Sequence, residues 1–282
     1  MLDILKIIDE RALRKRRKIG IGILSQNLHL ASNYFKIALK YADVIPVPTY
    51  EKLLELLYNK EIEGIVRGQL DSPYQLFNEL STKYNFRKDY RVSIIKDVCG
   101  RIFFFGPTSA RWNHCVDDKI EYIERVVRHI KDFGIEEKEI KIAIILPMHQ
   151  NDIVDLENLK NLDRDSIVQL RFLQKALIDS DNLIKKLHRK GLLVKNYDNR
   201  IEFALKDKAT FIVPYNGIFG NAISRALWLI DQREGDEKAK LISLQLLTEK
   251  YYEWVIENTS PSEDDFSSHI ISSVAWLNRK IN

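Results

Sequence analysis

Between residues 18 and 84 the hydrophobic period changes every few residues, and that alternation restricts the fold more than any other feature. The runs KIGIGIL (18–24), DVIPVP (43–48) and EGIVRG (63–68) have strand length and strand composition. Between them, Leu28, Ala31, Phe35, Ala38 and Leu39 recur at helical spacing over 27–41, and YEKLLELLYN (50–59) repeats the pattern. Gly20 and Gly22 leave room for close packing of the first strand. SPYQLFNELSTKY (72–84) opens a helix, with Ser72 as cap and Pro73 in the first turn. Strands that alternate with helices at this interval form βαβ units, whose strands run parallel.

The flanking regions extend the pattern. Residues 2–17 read as an amphipathic helix, and YRVSIIKDVCGRIFFFGP (90–107) as two apolar runs meeting near Cys99–Gly100, a hairpin or a pair of strands. Residues 117–134 form a strong helix, with Asp117 and Asp118 at its positive end and Gly134 as C-cap. EIKIAIILP (139–147) is a buried strand, and a helix follows over about 164–180. The last third reads strand 191–196, helix 198–208, strand 210–215 and helix 221–232. Two further strands, 239–247 and 251–259, precede a closing helix over 262–280.

A chain of 282 residues makes one large domain or two small ones. We place the lobes at 1–110 and 111–282, and the two ends could also share one sheet. The formal charge of +4 is too small to indicate nucleic-acid binding. RALRKRRK (11–18) holds six basic residues, but no aromatics are interleaved to stack on bases, so a solvated helix end accounts for it. Two cysteines suit a reducing compartment. No apolar run reaches the ~18 residues that cross a bilayer, and the first residues do not read as a signal peptide. The expected location is the cytoplasm.

The segment TFIVPYNGIFGNAISRALWLI (210–230) carries the clearest site signal. A buried strand enters a turn containing Asn216, Gly217, Gly220 and Asn221, and a helix leaves it. Asn221 would cap that helix, Gly217 would take a positive φ, and Gly220 would admit close backbone approach. The first N–H groups of a helix lack internal partners and sit at the positive end of its dipole, so they suit a phosphate or carboxylate. Arg225, about one turn on, would add a full charge. A tight strand–helix turn with no ligand explains the same letters.

This segment resembles the strand–turn–helix of the phosphate acetyl/butyryltransferase-like proteins, and is most similar to their MtxX-type, methanogenesis-marker branch, whose members are named as methyltransferases. KIGIGI, GIVRG before SPYQLFNEL, GRIFFFGP and ENTSPSEDDFSSHIISSVAWL match further parts of that family in order. The resemblance implies a two-lobed, three-layer α/β/α fold with a mostly parallel sheet, of the isocitrate/isopropylmalate dehydrogenase-like type, and an interlobe ligand cleft. It also implies an archaeal source and a homodimer. Three departures bear on the chemistry. Asn216 stands where the family has Asp, PMHQNDIVD (147–155) lacks the expected glycines, and Pro261 stands where the acyltransferases place an Arg after Ser260. Proline carries no charge and donates no hydrogen bond.

Arg67, before Gly68 at the end of a strand, is placed to clamp a phosphate, or to pair structurally with a carboxylate. The loop GPTSARWNHC (106–115) offers Thr108, Ser109, Arg111 and His114. Asp152 and Asp155 follow the best strand, where solvated loop acids are the simpler reading. His114 and Cys115 lack the spacing of a metal site, and the sequence carries no metal or nucleotide signature, leaving any cofactor unknown. The ligand set expected is thus Arg67, Gly68, Ser109, Arg111, Asn216, Gly217, Gly220, Asn221, Arg225 and Ser260, with no catalytic residue assigned. Two functions fit: a transferase acting on a phosphorylated or otherwise anionic small molecule, with the acyl, phosphoryl or methyl group unassigned; or a non-catalytic binding or assembly subunit that keeps the fold.

Overall fold

The structure, a computed structural model, describes all residues except 1–2, 72–73, 86–89, 110–114, 150, 152–162, 229–238, 248–252, 261–262 and 280–282. The chain divides into two compact units. One comprises Met1–Ile94, Asp132–Gly134 and Leu241–Asn282; the other comprises Ile95–Lys131 and Ile135–Lys240.

In the first unit the strands are β1 (Arg17–Gly22), β2 (Ala42–Val47), β3 (Gly64–Val66), β4 (Tyr90–Lys96), β9 (Lys240–Leu247) and β10 (Val255–Glu257), in the order β2-β1-β3-β10-β9-β4. β2, β1, β3 and β10 are parallel, and β9 runs antiparallel to β10. Helices α2 (Tyr50–Tyr58) and α3 (Tyr74–Tyr84) cover one face, where Leu53, Leu57, Leu76 and Leu80 pack with Ile65 and Ile256. Strand side chains alternate in direction, so Ile19 and Ile21 point the other way, both fully buried. Helix α1 (Ile4–Ala12) packs on the last helix, α8 (Ser267–Leu277), which also contacts β1, β3 and β10.

The second unit is a fully parallel sheet in the order β5-β8-β6-β7, from β5 (Ile102–Phe105), β6 (Lys141–Ile145), β7 (Leu193–Asn196) and β8 (Phe211–Pro214). Its helices are α4 (Val116–Asp132), α5 (Arg164–Arg189), α6 (Ile201–Lys206) and α7 (Gly217–Trp228). The alternation read from the sequence therefore yields the expected mostly parallel α/β fold.

Three local expectations change. Residues 27–41 form 3-10 turns, Ser25–Tyr34 and Ile37–Lys40, rather than an α-helix; Ser and Asn side chains compete there with the helical backbone ladder. Helix α5 runs on to Arg189, because Ala176, Ser180, Leu183 and Leu187 continue one buried stripe through the polar DSDN stretch. Helix α7 starts at Gly217, not at Asn221.

The basic stretch 11–18 is largely tied into its own unit. Arg16 donates to the carbonyls of Leu39, Lys40 and Ala42 and pairs with Asp43. Arg17 pairs with Glu63 and Asn278, and Arg11 donates to the carbonyl of Asp132. Among the described residues no helix is long and apolar enough to cross a membrane.

Candidate functional site

Parallel α/β sheets present ligands at the carboxyl ends of their strands, and each unit gathers polar groups there. In the second unit β8 ends at Pro214, and Tyr215 and Asn216 lead into α7. Asn216 is the cap: its side-chain oxygen accepts from Phe219 N at 2.9 Å and its carbonyl from Gly220 N at 2.9 Å. This replaces the expected cap at Asn221, whose Oδ1 instead accepts from Arg225 Nε at 2.8 Å on the exposed side of α7.

The two glycines serve contact rather than left-handed geometry. Gly217 is helical, and its φ is not positive. A methyl group on it would lie 1.7 Å from the carbonyl oxygen of Ser109, and one on Gly220 would lie 2.0 Å from that of Pro107. Both are buried because the loop after β5 rests its backbone on the first turn of α7. With the N–H groups of Phe219 and Gly220 satisfied by Asn216, those of Gly217 and Ile218 find no acceptor among the described residues. The cradle is thus narrower than Asn216, Gly217, Gly220 and Asn221 suggested: two amides, beside the half-buried loop residue Ser109. Arg111, His114, Asp152 and Asp155 lie outside the described residues. His149, after β6, is held by Arg200 at 2.8 Å and lies 3.6 Å from Asp198.

A buried lysine accompanies this turn. Lys119 of α4 is only 4% exposed, and its Nζ lies 3.7 Å from the ring centroid of Tyr215, the residue before the cap. Burial lowers its pKa to about 8; nearby Asp179 opposes the shift and Lys175 adds to it. Burial raises the Tyr215 phenol to about 12, with Asp179, which accepts its hydroxyl at 3.4 Å, adding to the effect. Sequence reasoning did not single out Lys119; the available signal was a lysine on the apolar stripe continued by Ile123, Val126 and Ile130.

In the first unit, Gly22, Arg67, Gly68 and Thr259 meet at the ends of β1, β3 and β10. Gly68 has φ +61°, and a methyl group there would lie 2.0 Å from the carbonyl oxygen of Gly22, so only glycine fits. Thr259 Oγ1 donates to the carbonyl of Gly68 at 2.9 Å. The Arg67 side chain, 9% exposed, donates to the carbonyls of Leu70 and Asp71 through Nε and to that of Thr259 through Nη1. It therefore ties the turn after β3 to the end of β10, closer to the structural role than to a bidentate clamp.

Ser260 leads into a buried chain of charge that sequence reasoning missed. Its N–H donates to Glu263 Oε1 at 2.5 Å. Glu263 Oε2 lies 2.8 Å from His269 Nε2, and His269 Nδ1 lies 3.2 Å from Glu257 Oε2. Glu257 accepts from Ser243 Oγ at 2.5 Å and from Leu244 N at 2.8 Å. Glu257 and His269 are completely buried. Burial alone would lower the imidazole's pKa, but the charge of Glu263 and hydrogen bonds from both carboxylates outweigh it and raise it to about 10. The signal was a Glu inside the apolar run WVIEN and a His on the apolar face of the last helix. Among the described residues no cluster of His, Cys, Asp and Glu has the makings of a metal site.

No family model matches the chain. A Methanosarcina barkeri protein named "Putative methyltransferase mtx subunit X" is 23% identical, aligned over 96% of this chain and 97% of its own. The chain is thus similar to an MtxX-type protein along nearly its whole length. A second relative, an uncharacterized methyltransferase of Methanocaldococcus jannaschii, is 27% identical over 75% of this chain and 80% of its own. Among solved structures, the EutD phosphotransacetylase from Staphylococcus aureus superposes with a TM-score of 0.59 at 11% identity, covering 98% of both chains. A branched-chain phosphotransacylase from Enterococcus faecalis gives 0.55 at 11%, covering 99% of this chain and 95% of its own. A Streptococcus pyogenes phosphotransacetylase gives 0.58 at 12%, covering 97% and 98%. At this identity the structural likeness concerns the fold, which is the one the sequence resemblance implied. These relatives and neighbours are all named as transferases.

Proposed function

We propose that this MtxX-type chain is a transferase that binds the phosphate or carboxylate of an anionic small molecule at the β8–α7 turn. The observation that carries the reading is the pair of N–H groups at Gly217 and Ile218. They have no acceptor among the described residues and stand at the positive end of a helix, at the carboxyl end of a parallel strand. An oxyanion seated there would complete their hydrogen bonding. The names of the curated relatives favour a methyl group as the one transferred, and those of the structural neighbours an acyl group; the side chains around the turn select neither.

A second reading has its own support. Pro261 replaces the Arg that the resemblance leads one to expect after Ser260, and Arg67 is occupied by backbone carbonyls. A binding or assembly subunit that keeps the anion site without turnover accounts for both. A thermal-shift screen with inorganic phosphate, acetyl phosphate, coenzyme A and a folate-type methyl carrier separates the readings. Stabilisation by a reactive compound with measurable product supports the transferase. Stabilisation by simple anions alone supports the subunit, and no stabilisation by any anion overturns the site. The homodimer implied by the resemblance belongs to the same proposal, with sedimentation equilibrium as its test.

A further inference from the structure

We propose that Lys119 is a ligand-binding cation, donating to an oxygen of a bound oxyanion beside the first turn of α7. The inference rests on the reading above and names a residue that neither the sequence pattern nor the comparisons assign.

Lys119 lies almost wholly inside the second unit, on the apolar stripe of α4. An ammonium carries three donors, and among the described residues Nζ has no hydrogen-bond acceptor; its contact is the face of Tyr215. A ring face attracts a cation but does not replace its hydrogen bonds. An ammonium at a nearly buried position, with little besides solvent to accept from it, is less favourable than one bonded to an anion.

The surrounding charges do not complete it. Asp179, on α5, is bonded to Lys175 at 2.8 Å and accepts from the Tyr215 hydroxyl at 3.4 Å. Lys175 is a like charge that opposes protonation of Lys119. Cys115, just before α4, is turned to Asp118 at 3.4 Å. Among the described residues these are the charged and titratable groups acting on Lys119 from α4, α5 and the β8–α7 turn, and none of them accepts a hydrogen bond from it. Tyr215 immediately precedes the cap residue Asn216, so the lysine and the open amides of Gly217 and Ile218 are joined by one short segment. An oxyanion would supply the acceptors and countercharge that Lys119 lacks. With a pKa of about 8 the free amine is partly neutral near neutrality, so binding draws in a proton.

Sulfate is the suitable probe, because it has no proton to lose in this range. Isothermal titration on a Cys115→Ser background, which removes the neighbouring thiol, is expected to show affinity falling about tenfold from pH 7 to pH 9, following the protonated fraction of an amine of pKa about 8. Lys119→Met, which retains the packing, is expected to weaken sulfate at pH 7 by tenfold or more. In the unmutated chain, sulfate is expected to slow reductive methylation of Lys119, read by peptide mass spectrometry, at least fivefold relative to surface lysines. Unchanged affinity in Lys119→Met together with unprotected Lys119 overturns this inference and leaves the α7 site standing. Loss in Lys119→Met with sulfate affinity unchanged in Gly217→Ala keeps Lys119 as the binding cation but overturns its placement beside α7, and with it the α7 reading. No sulfate binding to the unmutated chain overturns both.

Discussion

Substituting Gly217 by Ala sets two effects of opposite sign against each other. Ala is the better helix former by about 1 kcal/mol in a helix interior, so propensity predicts stabilisation. Packing predicts the reverse. The added methyl would sit 1.7 Å from Ser109 O, 2.6 Å from Ser109 C and 3.1 Å from Ser109 N. Ordinary contact begins near 3.4 Å, so helix and loop must separate by about 1.7 Å (3.4 less 1.7). Overpacking costs about 1–3 kcal/mol, and rigid backbone on both sides puts this case at the upper end. Subtracting the propensity gain leaves a net loss of about 2 kcal/mol. Urea denaturation followed by tryptophan fluorescence should show a lower midpoint with an unchanged slope. Exposed Ala222 on the same helix supplies the control, since Ala222→Gly should cost about 1 kcal/mol by propensity alone. The same Gly217→Ala protein should lose its stabilisation by phosphate, because the loop is displaced from the first turn. A neutral or stabilising Gly217→Ala would refute the packing argument and restore the view of this glycine as a residue open to ligand.

Four other predictions concern buried charge. Removing His269 by Ala leaves Glu257 and Glu263 facing each other in the core and should cost about 3–5 kcal/mol at pH 7; a cost below about 1 kcal/mol would contradict the network. Because the folded-state pKa of His269 is raised from 6.5 to about 10, its stabilisation is complete below pH 6.5 and is lost as pH rises through 10, at up to about 1.4 kcal/mol per pH unit between. Stability of the unmutated chain measured against His269→Gln should converge over that window, and a widening gap would refute the assignment. Lys119 runs the other way: with its pKa lowered to about 8, the cost of burying the cation is full below pH 8 and is relieved between 8 and 10.5, so Lys119→Met should stabilise the chain more at pH 7 than at pH 10. Arg67→Ala removes the donors to Leu70, Asp71 and Thr259 and should cost about 3 kcal/mol by denaturation; an equally stable variant would mean that these bonds are not holding the turn.

The sequence by itself determined the alternation of strands and helices, hence a parallel α/β fold, because hydrophobic period is a property of a few adjacent residues. It also marked Gly20 and Gly22 for close packing, which the structure bears out: a methyl group on Gly20 would lie 2.6 Å from Ile62 and one on Gly22 2.4 Å from the carbonyl oxygen of Arg67. Resemblance along most of the chain pointed to the MtxX-type proteins, to one of which it is similar over 96% of its length. Only the tertiary structure decided what Gly217 and Gly220 are for, since the backbone they touch, at Pro107 and Ser109, lies about a hundred residues away along the sequence. It alone returned residues 241–282 to the first unit and so brought Glu257 and Glu263 to either side of His269. A polar residue on an apolar stripe can be read from the letters. Which partner satisfies it, as for His269, or fails to, as for Lys119, depends on segments far apart in the chain, and local pattern holds no record of them.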